Sequence, residues 1–228
     1  MTKINQKPRN KVARILLVDD HPIVRRGLAM MINNDPGMEV CGEAAGIGEA
    51  IRLIQEQTPD LVVIDISLKD GSGIELIKQT KAQNPNIKML VSSMHEETLF
   101  SDRALHAGAK GYISKQEAPD KIVEAIHTIL SGKIYLSETM TERMLHRAVY
   151  PHSSDSLPVK SSIDSLTDRE IEVFALVGQG MSTRKIAKHL HLSVKTIETH
   201  REHIKRKLNL ETSHELIHRA VQWVMEQK

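Results

Sequence analysis

Asp19 and Asp20 follow the apolar run ILLV, Asp65 follows LVVI, Ser93 closes IKMLVSS, and Lys115 follows GYIS. Acids, a hydroxyl and an ammonium thus recur at the ends of short apolar runs, where burial makes a charge costly unless a partner offsets it. Three neighbouring carboxylates repel one another and cannot all stay ionised without a cation. Oxygen donors alone suit a hard ion such as Mg2+, which binds through one or two carboxylates and keeps waters. A carboxylate is also a nucleophile in phosphoryl transfer, where it forms an aspartyl phosphate. In that chemistry Lys115 balances the phosphate oxygens and Ser93 donates a hydrogen bond to one of them. Each residue also has a plainer use. Asp19 or Asp20 could cap a helix starting at Pro22, Asp65 could be a loop acid, and Lys115 a solvated surface lysine. Their coincidence at four strand ends argues for one shared site.

The elements that would bring them together alternate. Apolar runs at 15–18, 38–44, 61–64, 87–93 and 111–114 read as strands. Between them lie helical patterns: PIVRRGLAMMINN, with apolar residues at 23, 24, 28, 31 and 32; GEAIRLIQEQ, closed by Pro59; GIELIKQTKAQN, ended by Pro85; and ETLFSDRALHAGA, capped by Gly108. A fifth, PDKIVEAIHTILSG, has Pro119 to start it and Gly132 to stop it. Five such units predict a doubly wound five-stranded parallel sheet with helices on both faces. In the strand order 2-1-3-4-5 the first and third strands are neighbours, and ligands bind beyond the carboxyl ends at the switch point. Asp65 is then expected at an open strand end, with Gly71, Ser72 and Gly73 as a flexible turn into the next helix.

Composition bounds the rest. The 228 residues are 40% hydrophobic but only 3% aromatic, so the cores must be built from Leu, Ile, Val, Met and Ala. One cysteine, Cys41, cannot form an internal disulfide, which suits a reducing, cytoplasmic setting. No apolar run is long enough for a transmembrane helix, and MTKINQKPRNK has no apolar stretch after it to make a signal peptide. Charge is uneven beneath a net +2: residues 1–14 carry five Lys/Arg and no acid, residues 15–159 carry 14 against 20, and residues 160–228 carry 12 against 9 with six histidines. Such a balance admits a nucleic-acid partner for the last part only. YPHSSDSLPVKSSIDS, with two prolines and six serines, has linker chemistry. The expected division is a flexible basic tail at 1–12, an α/β domain at 13–133, a helical extension and linker at 134–162, and an all-α four-helix domain at 163–228.

The set Asp19, Asp20, Asp65, Ser93 and GYISK ending in Lys115 resembles the receiver domain of bacterial response regulators, and SMHEE and ALHAGAKGYISK resemble the NarL/FixJ family. The resemblance implies a CheY-like fold, with Asp65 as phosphoacceptor and a sensor histidine kinase as donor. It implies Mg2+ held by Asp19, Asp20, Asp65 and the backbone carbonyl of Ser67, and a switch pair of Ser93 and Tyr112. Lys69 departs from the family, which has proline at that place. Proline would fix φ, so Lys69 leaves the loop freer and adds a cation.

In the second domain LTDREIEVFALVGQG opens with Thr167 and Glu170 as a capping box and has Ile171, Phe174 and Val177 or Leu176 on its apolar face. STRKIAKHLHL starts at Ser182 with Ile186, Ala187 and Leu190 inward. SVKTIETHREHIKRKLNL has Val194, Ile197, Ile204 and Leu208 on one face and Lys195, Glu198, Thr199, Glu202, Lys205 and Arg206 opposite. The last helix begins at a second capping box, Thr212 and Glu215, and carries the stripe Ile217, Val221 and Val224. A short helix, a tight turn and a longer polar-faced helix is helix-turn-helix geometry, although periodicity alone fits an ordinary solvated helix equally. Lysines suit phosphates, while Glu198 and Glu202 are liabilities near DNA unless they read cytosine N4. His200 and His203 lie three apart without a third ligand evident in sequence, so no zinc site is read there. GIG at 46–48 lacks the rest of a nucleotide loop.

LTDREIEVFALVGQGMSTRKIAKHLHLSVKTIETHREHIKRKL resembles a LuxR-type DNA-binding domain. The resemblance implies a recognition helix from Val194 to Leu208 and contacts to double-stranded promoter DNA from Ser182, Thr183, Lys195, Thr196, Glu198, Thr199, Arg201, Glu202 and Lys205. It implies a homodimer surface through Ile217, Val221 and Val224. In this family the receiver often covers the recognition helix until phosphorylated; whether that holds here cannot be read from the sequence. The expected function is a non-enzymatic, phosphorylation-controlled transcription factor. Two other readings remain open: a metal-dependent phosphatase or phosphotransferase using the same carboxylates, and a regulator whose receiver is a phosphate-independent dimer module, which Lys69 invites.

Overall fold

A computed structural model describes residues 12–94, 97–149, 163 and 165–226. The basic tail through residue 11 and most of the serine- and proline-bearing segment lie outside them. The strands are β1 (Ala13–Val18), β2 (Met38–Ala44), β3 (Leu61–Ile64), β4 (Ser67–Leu68), β5 (Gly71–Ser72), β6 (Lys88–Ser93) and β7 (Gly111–Ser114). The helices are α1 (Pro22–Asn33), α2 (Ile47–Gln57), α3 (Gly73–Gln83), α4 (Glu97–Ala107), α5 (Ala118–Leu130), α6 (Glu138–Val149), α7 (Asp168–Gly178), α8 (Thr183–His189), α9 (Val194–Leu208) and α10 (Ser213–Glu226).

Five strands form one parallel sheet in the order β2-β1-β3-β6-β7, which is the expected doubly wound order once the small β4–β5 pair is set aside. Both faces are covered, so the central strands are apolar along most of their length, while the edge strand β2 carries exposed Glu39 and Glu43. Ile15, Leu17, Leu61, Val63, Leu90 and Ile113 pack with Leu28 and Ile32 of α1 and Ile122, Ile126 and Ile129 of α5. Their strand neighbours Leu16, Val18, Val62, Ile64, Met89 and Val91 face Ala50, Ile54, Ile74, Ile77, Phe100 and Ala104. Not every apolar residue of α1 turns inward: Ile23 and Met30 are exposed.

The opposite-face core runs on into the helical domain, where Ile171, Phe174, Ile186, Ile197, Ile204, Leu216, Ala220 and Trp223 close together. Phe174 and Trp223 meet with centroids 5.4 Å apart. Gly178 allows α7 and α10 to cross closely, since a Cβ there would lie 2.4 Å from the Ala220 carbonyl oxygen. The first expected capping box is complete: Thr167 Oγ1 accepts from Glu170 N–H while Glu170 accepts from Thr167 N–H. At the second, Thr212 Oγ1 accepts from Glu215 N–H, and the Glu215 carboxylate accepts from the Glu211 N–H and the Thr212 hydroxyl.

One stripe is corrected. The buried residues of α10 are Leu216, Ala220, Trp223 and Val224, whereas Ile217 and Val221 are 43% and 36% exposed. A 3.6-residue period through 217, 221 and 224 is one step off the face that the crossing with α7 selects. Val224 is therefore a core residue and is closed to a partner, while Ile217 and Val221 remain accessible.

Candidate functional site

Strand register assembles the site. Val18 pairs with Ile64 and Ser93 with Ser114, so Asp19, Asp65 and Lys115 are each the next residue beyond a paired strand end. Backbone bonds continue the sheet by one step: Asp65 N–H donates to the Val18 carbonyl at 2.8 Å and Lys115 N–H to the Ser93 carbonyl at 2.9 Å. The three carboxylates and Lys115 are consequently brought together at one edge.

Lys115 Nζ lies 2.6 Å from Asp19 Oδ2 and 2.7 Å from Asp65 Oδ2, with its side chain 5% exposed. Burial works against this ammonium, but Asp65 and Asp19 outweigh it and hold the lysine above its ordinary range. A solvated surface lysine is thereby excluded. Asp19 does not cap α1, whose N-cap is His21 without a side-chain cap bond. Instead Asp19 Oδ1 accepts from His21 N–H at 2.8 Å. Asp20 is buried, and among the described residues neither of its carboxylate oxygens has a hydrogen-bond partner. Asp19, Asp20, His21 and Asp65 each offer one ligand atom, all within 4.8 Å of one another. An acidic pocket whose most enclosed carboxylate lacks a donor fits a hard divalent cation. Ser93 and Tyr112 are both fully buried on adjacent strands.

The expectation of an open strand end at Asp65 does not hold: it is 3% exposed. The helical domain contributes to that enclosure. Ser67 Oγ donates to Glu172 Oε1 of α7, and Glu172 is held by Arg169. Arg103 of α4 and Lys78 of α3 both pair with Asp168, the latter at 3.1 Å, and Arg103 also donates to the Leu166 carbonyl at 3.0 Å. His191, in the turn before α9, places Nε2 3.8 Å from Asp20 Oδ2. None of these contacts is suggested by local sequence.

The GSG segment is also more constrained than a flexible turn. Ser67–Leu68 and Gly71–Ser72 form an antiparallel pair, and Ser72 Oγ accepts from Ile74 N–H to cap α3. Gly73 is required by close approach, because a Cβ there would lie 2.0 Å from the Asp65 carbonyl oxygen. Lys69 and Asp70 are exposed at the hairpin tip. Asp70 reaches back to the start of α2 and accepts from the Ile47 and Gly48 N–H groups at 2.9 and 3.2 Å.

On the helical domain the N-terminal half of α9 faces outward. Ser182, Lys195, Glu198, Thr199 and Glu202 are exposed. The others are engaged locally: Ser193 Oγ accepts from Thr196 N–H at 3.0 Å, Arg201 donates to Thr183 Oγ1 at 3.3 Å, and Lys205 pairs with Glu202 at 2.9 Å. The receiver thus contacts α7 and the turn before α9, while the outer face of α9 is exposed. Two buried acids of α7 make these contacts: Asp168 finds its cations, and Glu172 a hydroxyl, on the receiver.

Comparisons with known proteins agree with this architecture. Residues 15–127 match the response regulator receiver domain, and residues 164–220 match the bacterial regulatory proteins of the luxR family. The chain is 32% identical to the oxygen regulatory protein NreC of Staphylococcus haemolyticus over 91% of its own length and 96% of that protein. It is 35% identical to the transcriptional activator protein ExaE of Pseudomonas putida, over 91% of this chain and 95% of that one. Among solved structures, a LuxR-family two-component response regulator from Aurantimonas covers 61% of this chain and 99% of its own, with 40% identity and a TM-score of 0.57. RcsB from Salmonella enterica serovar Typhimurium, bound to a promoter in the presence of the phosphomimetic BeF3-, covers 92% of this chain and 98% of its own, with 25% identity and a TM-score of 0.58. The chain belongs to the response regulators that join a receiver domain to a LuxR-type DNA-binding domain, a family of transcription regulators.

No helix among the described residues is long and apolar enough to cross a membrane.

Proposed function

We propose that this protein takes a phosphoryl group on Asp65 from a sensor histidine kinase and that the phosphorylated form binds promoter DNA, as a homodimer, to regulate transcription. The observation that carries the reading is the edge where Asp19, Asp20 and Asp65 converge on the enclosed Lys115. A carboxylate oxygen of Asp65 attacks phosphorus as the phosphorus–nitrogen bond to the donor histidine breaks, leaving an acyl phosphate. Lys115, already an ion-pair partner of Asp65, moves to the phosphate oxygens, and the Ser93 hydroxyl donates to one of them. Mg2+ would be held by Asp19, Asp20, Asp65 and the Ser67 carbonyl, and when bound it supplies positive charge against the carboxylates and the incoming phosphate.

Ser93 and Tyr112 form the switch. Both are fully enclosed, so drawing Ser93 toward a phosphate would open space for the Tyr112 ring to move, and the shift would pass along β6 and β7. The DNA-facing group is Ser182, Thr183, Lys195, Thr196, Glu198, Thr199, Arg201, Glu202 and Lys205. Dimerisation uses Ile217 and Val221 of α10, whose exposure supports that role. The test is labelling by acetyl phosphate. Wild type should incorporate phosphate and Asp65→Asn none; normal labelling of the variant would remove Asp65 from the role.

A further inference from the structure

We propose that Asp70 is a positioning residue for the loop after Asp65. By capping α2 from a distance it braces the β4–β5 hairpin, whose tip lacks the proline that the family has at Lys69. The proposal rests on the reading of Asp65 as acceptor and of the Ser67 carbonyl as a cation ligand.

Helix α2 takes its cap from outside. Its N-cap is Gly46, in an extended conformation and with no side chain to accept from the first turn. The N–H groups at the start of a helix have no partner within it. Asp70 supplies two acceptors from the hairpin: Oδ1 takes the Ile47 N–H at 2.9 Å and Oδ2 the Gly48 N–H at 3.2 Å. A carboxylate there also faces the positive end of the helix dipole. The two sides fit closely. A Cβ on Gly46 would lie 2.7 Å from both Asp70 carboxylate oxygens, and one on Gly71 would lie 2.6 Å from Ile47 Cδ1. The GIG stretch at 46–48, which makes no nucleotide loop, is the seat of this carboxylate.

Each end of the tie leads to the cation pocket. On the α2 side, the Ala44 carbonyl accepts from the Asp19 N–H at 3.1 Å. On the hairpin side, Ser67 pairs with Ser72, and the Gly73 N–H donates to the Ile66 carbonyl at 2.7 Å, next to Asp65. Asp70 therefore holds the segment that carries Asp65 and Ser67 against the strand end that carries Asp19 and Asp20. Ligands drawn from separate segments bind an ion well only when those segments are fixed in register. Proline at 69 would restrain the loop by fixing φ. Lys69 leaves φ free, and Asp70 supplies the restraint through hydrogen bonds instead. Neither Lys69 nor Asp70 has a positive φ, so the first central position of this tip can accept proline.

The experiment follows Mg2+ binding to the full chain by calorimetry and acetyl phosphate labelling across a Mg2+ series. Asp70→Ala should raise the Mg2+ midpoint about fivefold in both, the size of a lost cap. Asp70→Asn removes the charge but keeps a capping oxygen, and should stay near wild type. Lys69→Pro added to Asp70→Ala should restore the midpoint. A role in stability alone would lower the labelled amplitude and leave the midpoint in place. An unmoved midpoint in Asp70→Ala would overturn the proposal, and so would no recovery with Lys69→Pro. Equal loss in Asp70→Asn would overturn it too, by showing that charge rather than bracing acts on the ion. Normal labelling of Asp65→Asn would instead remove the acceptor reading, and the calorimetric midpoints would still decide on Asp70.

Discussion

At Gly73 the backbone passes so close to the Asp65 carbonyl that an added Cβ would lie 2.0 Å from its oxygen. Gly73→Ala should lower unfolding stability by about 3 kcal/mol or more, because relief requires moving the strand end that carries Asp65. Urea unfolding followed by far-UV circular dichroism measures it, and a loss near zero would show that the loop has slack. On α9, Lys195 is exposed and is assigned to a phosphate. Lys195→Ala should weaken promoter binding across sequences alike and lower the salt slope by about 1. Loss restricted to one base position would instead make Lys195 a reader of bases. The identities of these residues were plain in the sequence because acids, hydroxyl and ammonium each follow an apolar run. The burial of Asp65 was not, because the contact beside it joins Ser67 to Glu172, far along the chain.

At the scale of elements, the strand order and most helix limits could be read from apolar runs, glycines and prolines. The β4–β5 pair could not, since two-residue strands have no period to detect. Nor could the inward face of α10, where the crossing at Gly178 chooses Val224 over Ile217. The start of α7 is a local device and was legible. Thr167→Ala removes one half of its capping box and should cost about 1 kcal/mol. Glu170 in the same box is buried, which works against its charge, yet Lys207 and Thr167 hold its carboxyl below the ordinary 4.5. A lowered carboxyl contributes stability at neutral pH that is lost as pH falls below 4.5 and through its folded value. The stability gap between wild type and Lys207→Met should therefore shrink from about pH 7 to about pH 3. A gap that stays constant would mean that the pair adds nothing through Glu170's charge.

Across the whole molecule, polar pairs distant in sequence hold the helical domain on the receiver: Asp168 with Lys78 and Arg103, and Glu172 with Ser67. Such pairs leave no periodic trace, which is why the composition marked two domains without marking how they meet. Asp168 is the buried acid that Lys78 and Arg103 share, so its removal takes both ion pairs from the junction at once. Asp168→Asn should loosen the docked arrangement and speed acetyl phosphate labelling of Asp65, and an unchanged rate would mean that docking does not guard the acceptor. The arrangement leaves α9 open while covering the acceptor edge, so phosphorylation is expected to act by displacing α7 and the turn at His191 from the receiver. The most direct measurement is promoter affinity of the full chain with and without beryllofluoride, in wild type and Asp65→Asn. Tighter binding with beryllofluoride in wild type alone is the predicted result; equal affinity in all four conditions would contradict phosphorylation control of DNA binding.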